Sequence, residues 1–348
     1  MKKLLSIAVS ALLVAPSVWA SSVELTAPSN AVEMPQQSTI SNADRNSQLA
    51  YQAQDTRLSD AERASALRAL GEQPSQNGLV AVSRGLKDES SVIREAAIIG
   101  ADPYPLEYRW RLVSPLLSDD VKVVRMTAAS GLLKDLDNLN GIGAVTSKDK
   151  KRLITVSDEL IAHLSTQTSL DSRLLLADTY RWTKHYDLAQ ENYQALLSDS
   201  PQNPQVWLSL ADNYRAQGLD GAAVELLDTA IEKLPSNANL HFSKSLALVR
   251  LNQKERAASE SHLAATLANN NSYYWYINGV LQEAIDIDYS TQSFEQAYLL
   301  SGAPEHLYAV CDIYSRYGHE KTEQCIDELG KVAPAEVISQ LKDIASTH

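Results

Sequence analysis

The chain has 348 residues, 44% of them hydrophobic, with 43 Asp and Glu against 31 Lys and Arg and only 2 Cys. That apolar content is ample for packed cores, so a disordered chain and a disulfide framework are excluded, and length alone suggests about two domains at roughly 150 residues each. Aromatics are sparse at 6%, which favours helices over a β-sandwich, and the formal charge of −12 argues against gripping nucleic acid or anionic lipid through the overall field.

Lys2 and Lys3 precede an apolar run from Leu4 to Val14, Pro16 breaks it, and Val18-Trp19-Ala20 presents small residues at the positions a signal peptidase reads. Residues 1–20 therefore read as a signal peptide cleaved after Ala20, of a bacterial kind, which predicts a periplasmic protein with the extracellular space as the other destination. No Cys follows the cleavage site, so lipid attachment there is not expected. No later segment reaches the roughly 18 uninterrupted apolar residues of a membrane span. Residues 21–55, rich in Ser, Gln, Asn and Ala without a sustained period, are predicted to be a flexible leader. Ser59 and Glu62 then form a capping box, where helical structure is expected to start.

A first repeat follows. Leu86, Asp88, Val92, Arg94 and Ala97 recur 31 residues later as Leu117, Asp119, Val123, Arg125 and Ala128, and the same step backwards from Arg94 and Ala97 reaches Arg63 and Ala66. Three helical hairpins are predicted over 56–137. Asp at a loop starts the next turn and small Ala residues let helices approach. The segment resembles HEAT-like repeats, whose helix starts read D-x-x-x-V-x-R-x-x-A. Arg63, Arg94 and Arg125 either line a binding face or pair with the preceding Asp and stiffen the stack.

Residues 138–169 read as a linker with Gly and Asn, then one amphipathic helix from Ser147 to Leu164 with Leu153, Val156, Leu160, Ile161 and Leu164 on one face, bridging two arrays. Lys148, Lys150, Lys151 and Arg152 form the one basic cluster and are expected on its solvent face.

The period then becomes 34. Ala177, Ala211 and Ser245 share that spacing, as do Tyr180, Tyr214 and Leu248, and Ala189, Ala223 and Ala257. In the best unit Trp207, Leu210, Ala211, Tyr214, Gly218, Ala223, Leu227, Ala230 and Pro235 fall at the diagnostic places, and the segment resembles a tetratricopeptide repeat. About five such units are predicted over 170–335. The fourth begins near Ser272 with a one-residue slip, the fifth carries Tyr314, Gly318 and Pro334, and a capping helix occupies 336–348. The predicted fold class is all-α, a right-handed α-solenoid of stacked helical hairpins, HEAT-like and then tetratricopeptide. Cys311 and Cys325 lie seven residues on either side of Gly318, opposite each other across a hairpin turn, which predicts a disulfide.

No catalytic motif is present: the chain lacks C-x-x-C-H, H-E-x-x-H, G-x-S-x-G and a phosphate-binding G-x-x-x-x-G-K-[ST]. The seven His are scattered, so neither a metal, a cofactor nor an enzyme is expected. Function is then assigned to the groove of the array. The tetratricopeptide resemblance implies that first helices line it, presenting Asp178, Arg181 and Trp182, then Asp212 and Arg215, then Phe242 and Arg250, then Tyr273 and Tyr276. Asp178/Asp212 and Arg181/Arg215 repeat at 34, so they either read a mixed-charge peptide with an apolar anchor or neutralise each other within the array. The carboxylate clamp of some chaperone-binding members needs Lys and Asn where this chain has Leu174, Leu208 and Asp212. The order of the two arrays also resembles the non-haem portion of bacterial multihaem cytochromes c over about residues 56–300, which implies docking onto a periplasmic redox protein and, without haem-binding Cys, no electron transfer. The expected function is a protein or peptide scaffold in envelope or respiratory-complex assembly. The alternative is a glycan- or peptidoglycan-binding accessory subunit that uses Tyr273-Tyr274-Trp275-Tyr276.

Overall fold

The computed structural model describes residues 42–347 apart from 73 and 142–144. The predicted signal peptide and residues 21–41 of the predicted leader lie outside the described residues, as do parts of the predicted linker. Eighteen α-helices occur among the described residues, without a strand, so the fold class is all-α. The chain divides into two compact units on either side of Ala162 and His163.

In the first unit, α1 (Asn42–Gln54) and α2 (Asp60–Ala69), α3 (Gln76–Gly85) and α4 (Ser91–Gly100), and α5 (Leu106–Val113) and α6 (Lys122–Leu133) succeed one another as pairs. The layers are α1 against α3, and α2 against α4 against α6. The Ser59–Glu62 capping box is present at the start of α2, with the Ser59 N–H donating to the Glu62 carboxylate at 2.9 Å. Helical structure nevertheless begins one helix earlier than predicted, because residues 42–54 of the predicted leader form α1. Its buried apolar residues, Ala50 and Ala53, are small and acquire their burial by packing against α2 and α3. The 31-residue motif therefore marks the second helix of each hairpin.

The repeated arginines bind the hairpins together. Arg63 donates to Asp88 at 2.6 Å, Arg94 to both oxygens of Asp119 at 2.8 and 2.9 Å, and Arg125 to Glu159 at 2.7 Å. Arg94 Nη1 also donates to the carbonyls of Asp88 and Glu89, and Arg125 Nη1 to those of Asp119 and Asp120. For Arg63 and Arg94 the carboxylate partner is thus the Asp of the following repeat and for Arg125 it is Glu159 of the next helix, while the preceding Asp88 and Asp119 give Arg94 and Arg125 their backbone oxygens. A guanidinium has five donors in a planar fork, enough to join two loops at once. These side chains are mostly covered, so they hold the stack together and leave little of a binding face.

α7 (Ser147–Leu164) follows, with Leu153, Val156 and Leu160 buried. In the second unit the first helices are α8 (Leu170–Trp182), α10 (Pro204–Ala216), α12 (Ala238–Arg250), α14 (Ser272–Gln282) and α16 (Pro304–Tyr317). The second helices are α9 (Tyr186–Asp199), α11 (Asp220–Lys233), α13 (Lys254–Leu267), α15 (Ile287–Ser301) and α17 (Thr322–Leu329), and α18 (Ala335–Ala345) follows.

Three local devices recur at 34 residues and explain the repeat length. The N-caps of α8, α10, α12 and α14 are Ser169, Asn203, Asn237 and Asn271, each accepting a backbone N–H. The ring N–H of Trp207 donates to the carbonyl of Pro201, that of Trp275 to Asn269, and His241 Nε2 meets the carbonyl of Pro235 in the same way. Between the helices of the first three hairpins the chain turns through a left-handed residue, Lys184, Gly218 and Asn252. Each turn is closed by the next N–H on the carbonyl of Tyr180, Tyr214 or Leu248. Only Gly218 adopts that conformation without steric cost. The fourth hairpin lacks the left-handed residue, and α15 starts 33 residues after α13, which is the predicted slip.

Trp207, Leu210, Ala211, Ala223, Leu227 and Ala230 are buried, with Tyr214 packed against them. In the fifth hairpin Cys311 and Cys325 are joined across the turn at left-handed Gly318, and Leu341 of α18 is fully buried against this core.

Candidate functional site

The first helices of successive hairpins approach one another, α8 with α10 and α10 with α12. The predicted groove residues lie along this layer, but the packing divides them into spent and available groups.

Asp178 is spent. It accepts from Arg181 at 3.0 Å and from the buried Tyr193 hydroxyl at 2.6 Å, and Arg181 Nε also donates to Tyr193 at 3.3 Å. Burial, followed by the Asp178 carboxylate, pushes the Tyr193 phenol far above its ordinary range. Trp182 lies beneath the Arg181 guanidinium at 5.8 Å. One turn of the array further on, Asp212 pairs with Arg215. Arg250 pairs with Asp220 at 3.0 Å and donates to the Arg215 carbonyl at 3.0 Å. Burial and the neighbouring Arg250 and Arg181 charges lower the Arg215 pKa to about 10. The charge ladder is therefore matched within the array, with Arg250, at 51% side-chain exposure, the cation that reaches solvent. Leu174 and Leu208, at two of the carboxylate-clamp places, pack into the core instead.

The aromatic end is also divided. Phe242 stacks on Tyr274 at 4.4 Å and meets Tyr273 edge-on at 5.8 Å. Tyr274 is buried and its hydroxyl donates to Asn239 at 2.6 Å, while the Trp275 N–H is taken by Asn269. Tyr276 stacks on His306 at 5.3 Å. Burial, then Tyr273 and Asp312, push its phenol pKa up. Only Tyr273 of the four consecutive aromatics is strongly exposed, at 49%, so Tyr273-Tyr274-Trp275-Tyr276 does not form a continuous stacking platform for a sugar chain.

Sequence reasoning missed Tyr308, which is 41% exposed. Because α16 starts 32 residues after α14, Tyr308 takes the helix position of Tyr276, whereas a strict 34 period points to Val310. Beside it, Arg316 pairs with Glu283 and Asp312, and the Tyr317 hydroxyl donates to Glu283 at 3.1 Å. Burial opposes the Arg316 charge, but these carboxylates outweigh it and keep the group protonated. The arrangement leaves Tyr273 and Tyr308 as exposed anchors, with the Arg250 side chain half-exposed although paired with Asp220. Among the described residues no group of three His, Cys, Asp or Glu is placed to hold a metal ion, and no helix is long and apolar enough to cross a membrane.

The family described as tetratricopeptide repeat matches residues 183–242, and the chain carries tetratricopeptide repeats there. No curated protein matches the chain. Among solved structures, the crystal structure of MamA is 16% identical, covering 50% of this chain and 98% of its own, with a TM-score of 0.39. MamA 41-end from Desulfovibrio magneticus RS-1 is 11% identical, covering 47% and 94%, with a TM-score of 0.39. A thermophilic TPR protein of Thermus thermophilus is 20% identical, covering 51% and 98%, with a TM-score of 0.35.

Proposed function

We propose that the chain is an exported, non-catalytic scaffold that holds a protein or peptide segment along the first helices of residues 170–335. The observation that carries this reading is that Tyr273 and Tyr308 stay exposed on first helices, with the Arg250 side chain half-exposed at the end of another, beside Asp–Arg pairs that are already satisfied. Tyr and Arg supply binding energy where they are desolvated by a partner, whereas Asp178, Arg181, Asp212 and Arg215 position the layer. An extended segment with an apolar side chain for the tyrosines and a carboxylate for Arg250 fits this arrangement. The signal-peptide pattern of residues 1–20 supports service in the periplasm, in envelope or respiratory-complex assembly, with a periplasmic redox protein as one partner class.

Tagged full-length chain expressed in a bacterial host, fractionated by osmotic shock and crosslinked before mass spectrometry, tests the reading. A mature N-terminus at Ser21 and a reproducible protein partner are expected. Substitution of Tyr273 and Tyr308 by Ala should abolish capture with the helical melt unchanged. Equal capture by this double variant refutes the assignment of the groove, and saccharide binding without any protein partner reverses the reading in favour of a glycan-binding subunit.

A further inference from the structure

The acidic chain concentrates positive charge in one cavity, far in sequence from the groove. A cleft of about 370 Å³ in the first unit is lined by Leu117, Arg125, Lys148, Lys151, Arg152, Thr155, Val156 and Glu159. Its floor is apolar, with Leu117 and Val156 buried. Lys148 and Lys151 stand one helical turn apart in the first turns of the 18-residue helix α7, where the backbone N–H groups and helix dipole also favour an anion. Arg152 is held over the floor by its Nε donating to the Leu117 carbonyl at 3.3 Å.

The carboxylate of the lining, Glu159, is engaged elsewhere, and the neighbouring Asp149, which also feels the Lys148 charge, is taken up at the helix start. Glu159 forms the paired hydrogen bonds with Arg125 at 2.7 and 3.2 Å, which cancel the Arg125 charge. Asp149 turns back to cap α7, accepting from the N–H and hydroxyl of Thr146 at 2.9 and 2.6 Å. Lys148, Lys151 and Arg152 therefore face the cleft with no carboxylate of the lining left to balance them. The volume is at the small end of ligand pockets, suited to one compact group more than to an extended peptide. Lysine ammoniums beside an arginine are suited to a multiply charged oxyanion.

We propose that this cleft binds a phosphate-bearing ligand, its phosphate held by Lys148, Lys151 and Arg152 and its apolar portion resting on Leu117 and Val156. The free phosphorylated molecule and the phospholipid headgroup share this chemistry, and they are separable by experiment.

Full-length chain and the double variant Lys148→Gln/Lys151→Gln are compared by calorimetric titration with inorganic pyrophosphate and by cosedimentation with phosphatidylglycerol vesicles, using phosphatidylcholine vesicles as control. The circular-dichroism melt verifies that the variant folds. Salt-sensitive binding of pyrophosphate is expected, weakened about tenfold or more in the variant, the worth of a lost charge-assisted hydrogen bond. Binding of pyrophosphate without vesicle binding assigns a soluble ligand, and binding of phosphatidylglycerol vesicles, weakened in the same variant, assigns a headgroup. No binding of either probe by the wild type, equal binding by a folded variant, or binding of a Glu-rich peptide in their place overturns the proposal.

Discussion

Replacing Gly100 by Ala tests how closely the hairpins of the first unit are stacked. Gly100 ends α4, and a Cβ built there would lie 2.6 Å from the Leu67 carbonyl oxygen of α2 and 3.0 Å from a Val82 methyl of α3. Ordinary contact between such atoms is roughly 3.5 Å, so two helix backbones must part by nearly an ångström. Neither neighbour is the free end of a flexible side chain. Overpacking of this kind costs about 1–3 kcal/mol, partly offset by the gain of up to about 1 kcal/mol in helix propensity, leaving a net loss of about 1–2 kcal/mol. Gly131 occupies the same repeat position 31 residues later in α6, yet a Cβ there meets only an Ile98 methyl at 3.7 Å. Gly131→Ala is therefore expected to stabilise, by about 0.5–1 kcal/mol. Urea unfolding followed by circular dichroism, compared at constant slope, reads both changes. The reasoning fails if Gly100→Ala is as stable as the wild type, or if the two variants shift in the same direction.

Further expectations follow from buried polar groups and from the disulfide. Arg94→Met removes a side chain that joins two loops and leaves the covered Asp119 carboxylate unpaired, so a loss of about 3 kcal/mol is expected; a loss below about 0.5 kcal/mol, the range of ordinary surface substitutions, would return Arg94 to the exposed surface. His241 meets Glu260 through Nδ1 at 2.7 Å and the Pro235 carbonyl through Nε2, and the Glu260 hydrogen bond, against burial, raises its pKa above 6.5. The stability contributed by its imidazolium is complete below about pH 6.5 and is lost as pH rises through the raised folded value. Glu260, held low by His241 and Lys244 against the opposing effect of burial, contributes in the opposite sense, losing its share only as pH falls below the usual carboxylate range. Urea midpoints between about pH 6 and 8 should fall for the wild type and stay level for His241→Gln; parallel curves refute the network. Intact mass should show Cys311 and Cys325 alkylated only after reduction, with stability then lowered by about 3 kcal/mol for a loop of this size. Two alkylatable thiols in the unreduced protein would contradict the bond.

Much of the architecture was legible because both repeats are local. Asp88 and Asp119, or Ala177 and Ala211, carry the period on residues that every hairpin needs for its own turn or close approach, whatever surrounds it. The constant step of 34 also fixes where the caps fall, and Asn203, Asn237 and Asn271 were readable at that spacing had polar positions been searched as well as apolar ones. The helix at 42–54 was hidden for the opposite reason. The residues it buries are small alanines, and only the neighbouring helices make that face worth burying.

What the sequence by itself determined is the repeating hairpin pattern, apart from its first helix, since periodicity, small residues and caps act within one or two turns of chain. What the tertiary structure decided is which of the candidate side chains remain available. Asp178 and Arg181 look like binding residues along the chain, but Tyr193, fifteen residues from Asp178, arrives from the second helix and consumes them. Tyr308 takes its place only because the fifth hairpin breaks the 34-residue step. Lys148, Lys151 and Arg152 are exposed, as the sequence predicts, and only the packing of α7 beside Leu117 sets them around one cleft. A hydrogen-bonding group has few partners to satisfy and short reach, so whether it binds a ligand or its own neighbour depends on distances that only the packed chain sets.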